Sequence, residues 1–422
     1  MDVALTGASW LEPHDEGHVM RIAIDPWTLA ARFRFQGTYV YAQNLIAEFK
    51  RLTEGHDSNN RNDVEFCLFA GPLNDAEAAG NDASLVQPQQ HFDVRREPSL
   101  AHDALWRIAG LGRAARRAQA DLIFAPTASS MPFGAVPMVC TIHDVTPIVM
   151  PSHRTRSTMI LRSTMWTLAK FSQAIITDSQ CSKSDIVRIY GIPESKVSVI
   201  YLGYNKAVFN DSPPQPDDRN QVLGKLGMGK DRPYILHHGT IQPRKNLERL
   251  IAAYRLMLAQ TPDADFDLIL PGRLGWDYQR ILKAGKGTYN GHPAKHRGRV
   301  LFPGTLSDED LSVLIKGASL VVIPSLYEGF CLPMVESMAC GTPTVVSGTS
   351  CLPEVSGNAL DYFDPLSVEA IANSMTRALY DSALRHQIST RGLKRAAEFS
   401  WQRCARETLD LLLRQGNRHG SN

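Results

Sequence analysis

The chain has 422 residues, 43% of them hydrophobic and 21% charged, a globular composition too long for a single hydrophobic core and suited to about two domains. A formal net charge of +2 excludes a globally basic nucleic-acid binder, and no apolar run approaches the roughly 18 residues of a membrane span. Seven scattered cysteines, at 67, 140, 181, 331, 340, 351 and 404, argue for reduced core thiols in a cytoplasmic protein rather than a disulfide framework or a zinc site.

Residues 1–19 contain Glu12, Asp15 and Glu16 but no Lys or Arg, which is unlike a secretory signal and predicts a flexible extension. Ile22 to Asp25 reads as the first strand of an N-terminal domain over 20–205. It leads through Arg32 to Gln36 and Gly37 into a helix from about Val40 to Leu52. Phe66 to Ala70, Asp121 to Pro126, Val139 to Ile142, Ala174 to Ser179 and Val197 to Leu202 read as further strands. Their alternation with helical patterns predicts an α/β fold with a doubly wound parallel sheet. His143 sits just past one of these strands, where functional side chains collect and where a structural histidine is also common. Two stretches are basic with apolar interleaving. Arg95, Arg96, Arg107, Arg113, Arg116 and Arg117 surround Leu105, Trp106, Ile108 and Leu111, and residues 153–170 hold Arg154, Arg156, Arg162 and Lys170 beside Met159, Ile160 and Trp166 without one acid. A solvated helix face and an anionic-membrane contact both account for that pattern.

Asn210 to Asp218 is polar and proline-rich and predicts an interdomain linker over 206–230. A second domain, 231–399, opens with strand Tyr234 to Leu236 and runs through His237-His238-Gly239-Thr240-Ile241-Gln242-Pro243-Arg244-Lys245-Asn246 into a helix from Leu247 to Leu258. Leu268 to Gly272 and Val300 to Thr305 read as strands. Asp263-Ala264-Asp265 and Asp308-Glu309-Asp310 imitate an Asp-x-Asp metal motif. One precedes a strand and the other follows Ser307, a natural N-cap, so both read as turn and helix-start acids. Strands Leu320 to Ile323 and Thr344 to Val346 bracket Ser325 to Pro343, with a short helix from Pro333 to Cys340 between them. The amides of Gly329, Phe330, Cys331 and Leu332 precede that helix without helical partners of their own, so its start suits an anion. Glu328 and Glu336 flank it, as helix-start acids or as acceptors for a hydroxylated, phosphorylated ligand such as a nucleotide-sugar.

The Glu328-x7-Glu336 spacing, with Gly329-Phe330 and Leu332-Pro333 between, resembles the signature of retaining glycosyltransferases of family 4, over roughly residues 20 to 410. The resemblance implies the GT-B fold, two Rossmann-like domains facing a cleft, with a C-terminal helix over 400–415 returning to the first domain. It places Arg244 and Lys245 on the donor diphosphate, Glu328 on the sugar hydroxyls and Glu336 on the ribose. His143, or a backbone carbonyl near it, falls by the transferred sugar. Gly37, Gly239, Thr305 and Leu306 lie along the donor, although Phe35 stands where a first glycine is usual before Gly37. The implied reaction is transfer of a hexose to an acceptor hydroxyl with retention, without a cofactor or metal, by a front-face route assisted by the diphosphate.

Gly-Thr-x-x-Pro-Arg-Lys-Asn at 239–246 resembles bacterial mannosyltransferases of polysaccharide assembly. The expectation is therefore mannose from GDP-mannose, passed to a glycan or lipid-linked glycan at the inner face of the cytoplasmic membrane with peripheral membrane contact and no nucleic acid. A UDP-hexose transferase, a UDP-N-acetylglucosamine 2-epimerase-like isomerase and a noncatalytic nucleotide-sugar sensor are the alternatives.

Overall fold

The computed structural model describes residues 19–26, 29, 37–54, 64–70, 88–89, 91–96, 106–128, 130–131, 133–150, 156–229, 232–261, 264–286 and 298–420. The expected extension over 1–18, the approach Arg32 to Gln36, and Leu105, Arg154 and Asp263 lie outside them.

Among the described residues thirteen strands form two sheets, and every pairing between these strands is parallel. The first contains β1 (Met20–Ile24), β2 (Val64–Ala70), β3 (Phe92–Arg96), β4 (Leu122–Ala125), β5 (Met138–Thr141), β6 (Ala174–Thr177) and β7 (Val197–Val199), in the order β3-β2-β1-β4-β5-β6-β7. The second contains β8 (Tyr234–Leu236), β9 (Asp267–Ile269), β10 (Val300–Leu301), β11 (Leu320–Ile323), β12 (Thr344–Ser347) and β13 (Asp361–Phe363), in the order β10-β9-β8-β11-β12-β13. Central strands such as β4, β5 and β11 are short, wholly buried apolar runs, as a sheet covered by helices on both faces requires. Strand order reverses between β1 and β4 and again between β8 and β11. Such switch points leave a crevice at the carboxyl ends of the strands.

The helices that accompany these strands include α1 (Gly37–Glu54), α2 (Arg156–Phe171), α3 (Gln180–Tyr190), α4 (Pro216–Lys225), α5 (Leu247–Gln260), α6 (Asp308–Gly317), α7 (Leu332–Ala339), α8 (Leu352–Ser356), α9 (Val368–Tyr380) and α10 (Trp401–Gly420). The last crosses back to the first sheet: Gln402 Nε2 donates to Glu48 Oε1 at 3.0 Å, and Trp401 packs 6.3 Å from the Tyr41 ring.

Three local expectations change. The presumed linker contains α4, started by Pro216, whose fixed φ suits a first helical position. Val222 and Leu223 are buried there, and Lys225 pairs with Asp310 of α6 at 2.9 Å. Arg95 and Arg96, read only as part of a basic stretch, end the edge strand β3. Trp106 and Leu111 of that stretch face the core, which leaves Arg113 and Arg116 as ordinary surface charge.

The two halves touch through specific groups. The Glu354 carboxylate of α8 accepts the amides of Gln180 and Cys181, at 2.7 and 2.9 Å, and so caps the start of α3. Tyr327 donates to Asp185 at 2.9 Å, and a Cβ on Gly329 would lie 2.6 Å from the His143 carbonyl oxygen.

Candidate active site

Strands β8 and β11 are neighbours, with Leu236 opposite Val321, so the loops leaving their carboxyl ends run side by side. The first ends in the tight turn Pro243–Lys245, closed by Asn246 at φ +59°. The second ends at Cys331, φ +75°, the residue before α7. Asn tolerates a left-handed backbone, but Cys pays about 1–2 kcal/mol for it, strain of the kind found where a loop serves a ligand.

Between the loops the charges converge. Lys245 Nζ donates to Glu328 Oε1 at 2.6 Å; Arg244 Nη1 donates to Glu328 Oε2 and to the Tyr327 carbonyl at 2.9 Å. Burial would raise the Glu328 pKa, but the two cations outweigh it and hold the carboxyl at about 2. The same exchange drives Arg244 upward against its own burial, with Glu328 first and Asp144 second. One carboxylate facing two cations leaves a net positive group, and an anion fits beside it. The amides of Gly329, Phe330, Cys331 and Leu332 follow, with no intramolecular acceptor among the described residues.

Glu336, one turn into α7, behaves oppositely. Burial, then the nearby Asp308 charge, pushes its pKa up to about 8, with Lys245 opposing. His238 lies 3.7 Å away through Nδ1, and burial, His237 and Lys245 hold its pKa down at about 3. Since Ser337 Oγ donates to the Pro333 carbonyl at 2.8 Å, the 3.1 Å contact with His238 Nε2 makes that nitrogen the donor. The Nδ1 lone pair then faces Glu336.

Across the crevice, His143 Nδ1 lies 2.8 Å from Asp178 Oδ2, and Nε2 lies 3.2 Å from the Pro126 carbonyl. Both nitrogens face acceptors, so the geometry suits an imidazolium. Burial alone would lower the His143 pKa, but the Asp178 charge and hydrogen bond, with Asp144 and Pro126, raise it. A ring with both N–H groups committed has no lone pair to take a proton from substrate.

The residues that the resemblance places at the donor and the transferred sugar line one cleft of about 780 Å³: Gly37 and His143 on one wall, and Gly239, Arg244, Lys245, Thr305, Leu306, Glu328 to Leu332 and Glu336 on the other. Close backbone approaches shape the second wall. Gly272, at φ +150°, leaves no space for a Cβ against the Gly239 carbonyl, and its amide donates to the Gly304 carbonyl at 2.8 Å. Among the described residues no group of three His, Cys, Asp or Glu side chains is arranged to hold a metal ion.

The family model of glycosyltransferase family 4 matches residues 37–208, and that of the glycosyl transferases group 1 matches 218–395. An O-antigen chain mannosyltransferase B of Escherichia coli is 32% identical over 274 residues, which cover 64% of this chain and 69% of that one. The chain belongs to the family 4 glycosyltransferases. Another similar protein, the serotype-specific mannosyltransferase WbdA of Escherichia coli, is 32% identical over 65% of this chain, which spans only 33% of WbdA. Among solved structures, Anabaena HepE in complex with UDP-glucose superposes with a TM-score of 0.66, covering 93% of this chain and 99% of that one at 21% identity. The expected GT-B architecture is therefore the observed one, and the enzyme is a hexosyltransferase.

Several cleft residues were not singled out from the sequence. Asp178 is one: β5 and β6 pair Thr141 with Ile176, which sets residues 143 and 178 side by side. Asp308 and Glu309, read from the sequence only as helix-start acids, line the cleft too. Ser307 does cap α6, accepting the Asp310 amide at 3.1 Å, but the two acids before Asp310 also face the cleft of this glycosyltransferase.

Proposed function

We propose that this glycosyltransferase moves mannose from GDP-mannose to a hydroxyl of a glycan or lipid-linked glycan in cell-surface polysaccharide assembly, with retention at the anomeric carbon. The observation that carries the reading is the convergence of Arg244, Lys245 and the unpartnered Gly329 to Leu332 amides on one end of the cleft. A diphosphate there meets two cations, each worth about 4 kcal/mol at contact in an effective dielectric near 20. The acceptor oxygen bonds to C1 as the bond from C1 to the diphosphate oxygen breaks, and the hydroxyl proton leaves on that departing oxygen. Arg244 and Lys245 stabilise the charge that develops. Glu328 orients both cations and offers its remaining lone pairs to sugar hydroxyls, and Glu336 takes the ribose. Because both His143 nitrogens are engaged, the backbone carbonyl of His143 is the group that faces the sugar, with the ring fixing its position. The charge work falls to these side chains, and no cofactor or metal is assigned a step.

Two observations favour GDP. The nucleotide end of the cleft carries Asp308 and Glu309, and adjacent N–H donors on guanine match a carboxylate, whereas uracil presents one. The two similar Escherichia coli proteins named above are also mannosyltransferases. The likeness to a UDP-glucose complex favours the second reading, a UDP-hexose donor. A thermal-shift panel of GDP, UDP and ADP, repeated with Glu336→Ala, separates them. Stabilisation by GDP that weakens in the variant supports the proposal, and stabilisation by UDP alone overturns the donor assignment. At a hundredfold excess over Kd the shift corresponds to about 2.7 kcal/mol.

The membrane reading moves to α2. Met159 (67% exposed), Ile160, Trp166 and Phe171 (63%) stand outside the fold beside exposed Lys170, a pattern suited to lying in a lipid interface at the inner face of the cytoplasmic membrane. No described helix is long and apolar enough to cross a membrane. Sedimentation with phosphatidylglycerol vesicles should fall when Trp166 and Phe171 become Ser, and unchanged sedimentation would remove the proposal.

A further inference from the structure

A second hollow of about 400 Å³ opens beside the donor cleft and shares Asp144, Gln242, Arg244 and Arg273 with it. It joins the cleft at Arg244, beside Glu328, and not at the end holding Glu336, Asp308 and Glu309. Whatever occupies it therefore sits next to the bond being exchanged. Its walls come from both halves: Asp144, Thr146 and Pro147 on one side, Arg273 to Trp276 on the other.

The second wall is held rigidly. Ile241 donates its amide to the Arg273 carbonyl and Gly275 donates to the Ile241 carbonyl, both at 2.9 Å. A Cβ on Gly275 would strike the Thr240 methyl at 2.7 Å and Gln242 at 3.0 Å, so only glycine lets this loop lie so close. On the opposite wall Asp144 Oδ1 accepts the Thr146 amide at 2.8 Å, which fixes the carboxylate and leaves Oδ2 for a ligand. Among the described residues the buried Thr146 Oγ1 has no hydrogen-bond partner, an unusual loss for a hydroxyl at the edge of a hollow.

The chemistry is that of neutral polyol recognition. Of the hollow's two guanidiniums, that of Arg244 is already held by Glu328 and the Tyr327 carbonyl. The carboxylate of Asp144, the guanidinium of Arg273 and the amide of Gln242 are planar groups that pair with vicinal hydroxyls, and an indole supplies an apolar plane. A phosphate here would meet Asp144. We propose that this hollow is the acceptor subsite and takes a neutral hexopyranose, one face on the Trp276 indole and its hydroxyls on Asp144, Gln242 and Arg273. The inference rests on the glycosyltransferase reading above and places half of the acceptor subsite on Arg273 to Trp276, in the same domain as Arg244, Lys245 and Glu328.

The test uses the full chain saturated with whichever of GDP or UDP binds, and methyl α-D-mannopyranoside as probe, followed by saturation-transfer NMR. The wild type should transfer saturation to the glycoside. Trp276→Ala should weaken that binding roughly tenfold, as loss of one aromatic contact predicts, with nucleotide affinity unchanged. Trp276→Phe keeps a ring and should restore most of it. Nucleotide binding with no glycoside signal, or a signal equal in Trp276→Ala, overturns the subsite alone. Preference for inositol 1-phosphate over the glycoside overturns the neutral-sugar assignment. Failure of the wild type to bind either nucleotide overturns the donor reading and this inference with it.

Discussion

Lys245 Nζ lies 2.6 Å from Glu328 Oε1, and both side chains are at least 95% buried. A lysine so placed is preorganised: its ammonium is already desolvated and aimed when the diphosphate charge develops. Lys245→Ala should therefore lose on the order of 10³-fold in kcat/KM, the equivalent of about 4 kcal/mol. Cys331→Ser keeps the amides and should lose less than tenfold. Comparable losses from both, measured by initial rates, would overturn this ranking of the cations above the loop.

Glu328 also sets an acid limit on stability. Its folded pKa of about 2 lies below its ordinary 4.5, so its contribution is complete above 4.5 and is lost as pH falls toward 2. The amount is on the order of 3 kcal/mol. Glu328→Gln leaves two buried cations unpaired and should cost about 3–5 kcal/mol at pH 7. Chemical denaturation at pH 7 and pH 3 should show the gap between wild type and variant narrowing at the lower pH.

Glu336 predicts a pH dependence in donor binding, at alkaline rather than acid pH. With a pKa of about 8 it is about 10% ionised at pH 7, and the ionised form is the better acceptor for two ribose hydroxyls. Donor affinity should rise up to roughly tenfold as pH increases from 7 toward 9. Glu336→Gln should bind weakly with a flat profile. A wild-type Kd independent of pH would contradict the assignment.

Asp178→Asn tests the buried pair behind His143. The variant should lose about 3–5 kcal/mol of stability at pH 6, because a charged imidazolium then lacks its partner or must give up its proton. The raised His143 pKa makes the pair's contribution complete below 6.5 and lost as pH climbs through the folded value. The wild-type advantage should therefore shrink in alkaline buffer, and an advantage that grows with pH would sink the imidazolium.

Gly329→Ala tests the contact between the halves. The added methyl would stand 2.6 Å from the His143 carbonyl oxygen, so one wall must retreat. Turnover should fall on the order of 10²-fold, as a misplacement approaching an ångström at reacting groups does, with nucleotide affinity kept within a few-fold.

What could be read from the residues alone was local. Glu328, the Gly329 to Leu332 amides and Glu336 share one loop and helix, so their spacing in the chain is their spacing in space. Arg244 and Lys245 were legible only through family likeness, since two basic residues before a helix are common on any surface. Asp178 was not legible, because its meeting with His143 depends on the register of β5 and β6. Helix α4 hid behind Pro213, Pro214 and Pro216, which mark a linker and a helix start alike. Asp308 shows one side chain serving two ends: it sits in the first turn of α6, where acids belong, and also raises the Glu336 pKa.

The most direct test of the donor and stereochemical assignment is NMR of the purified enzyme with GDP-mannose, ¹³C-labelled at C1, and octyl α-mannopyranoside as acceptor. The account predicts equimolar release of GDP and a new α-mannosidic C1 signal, both abolished by Lys245→Ala. Turnover with UDP-glucose alone, a β-linked product, or epimerisation of a nucleotide-sugar without acceptor would contradict it.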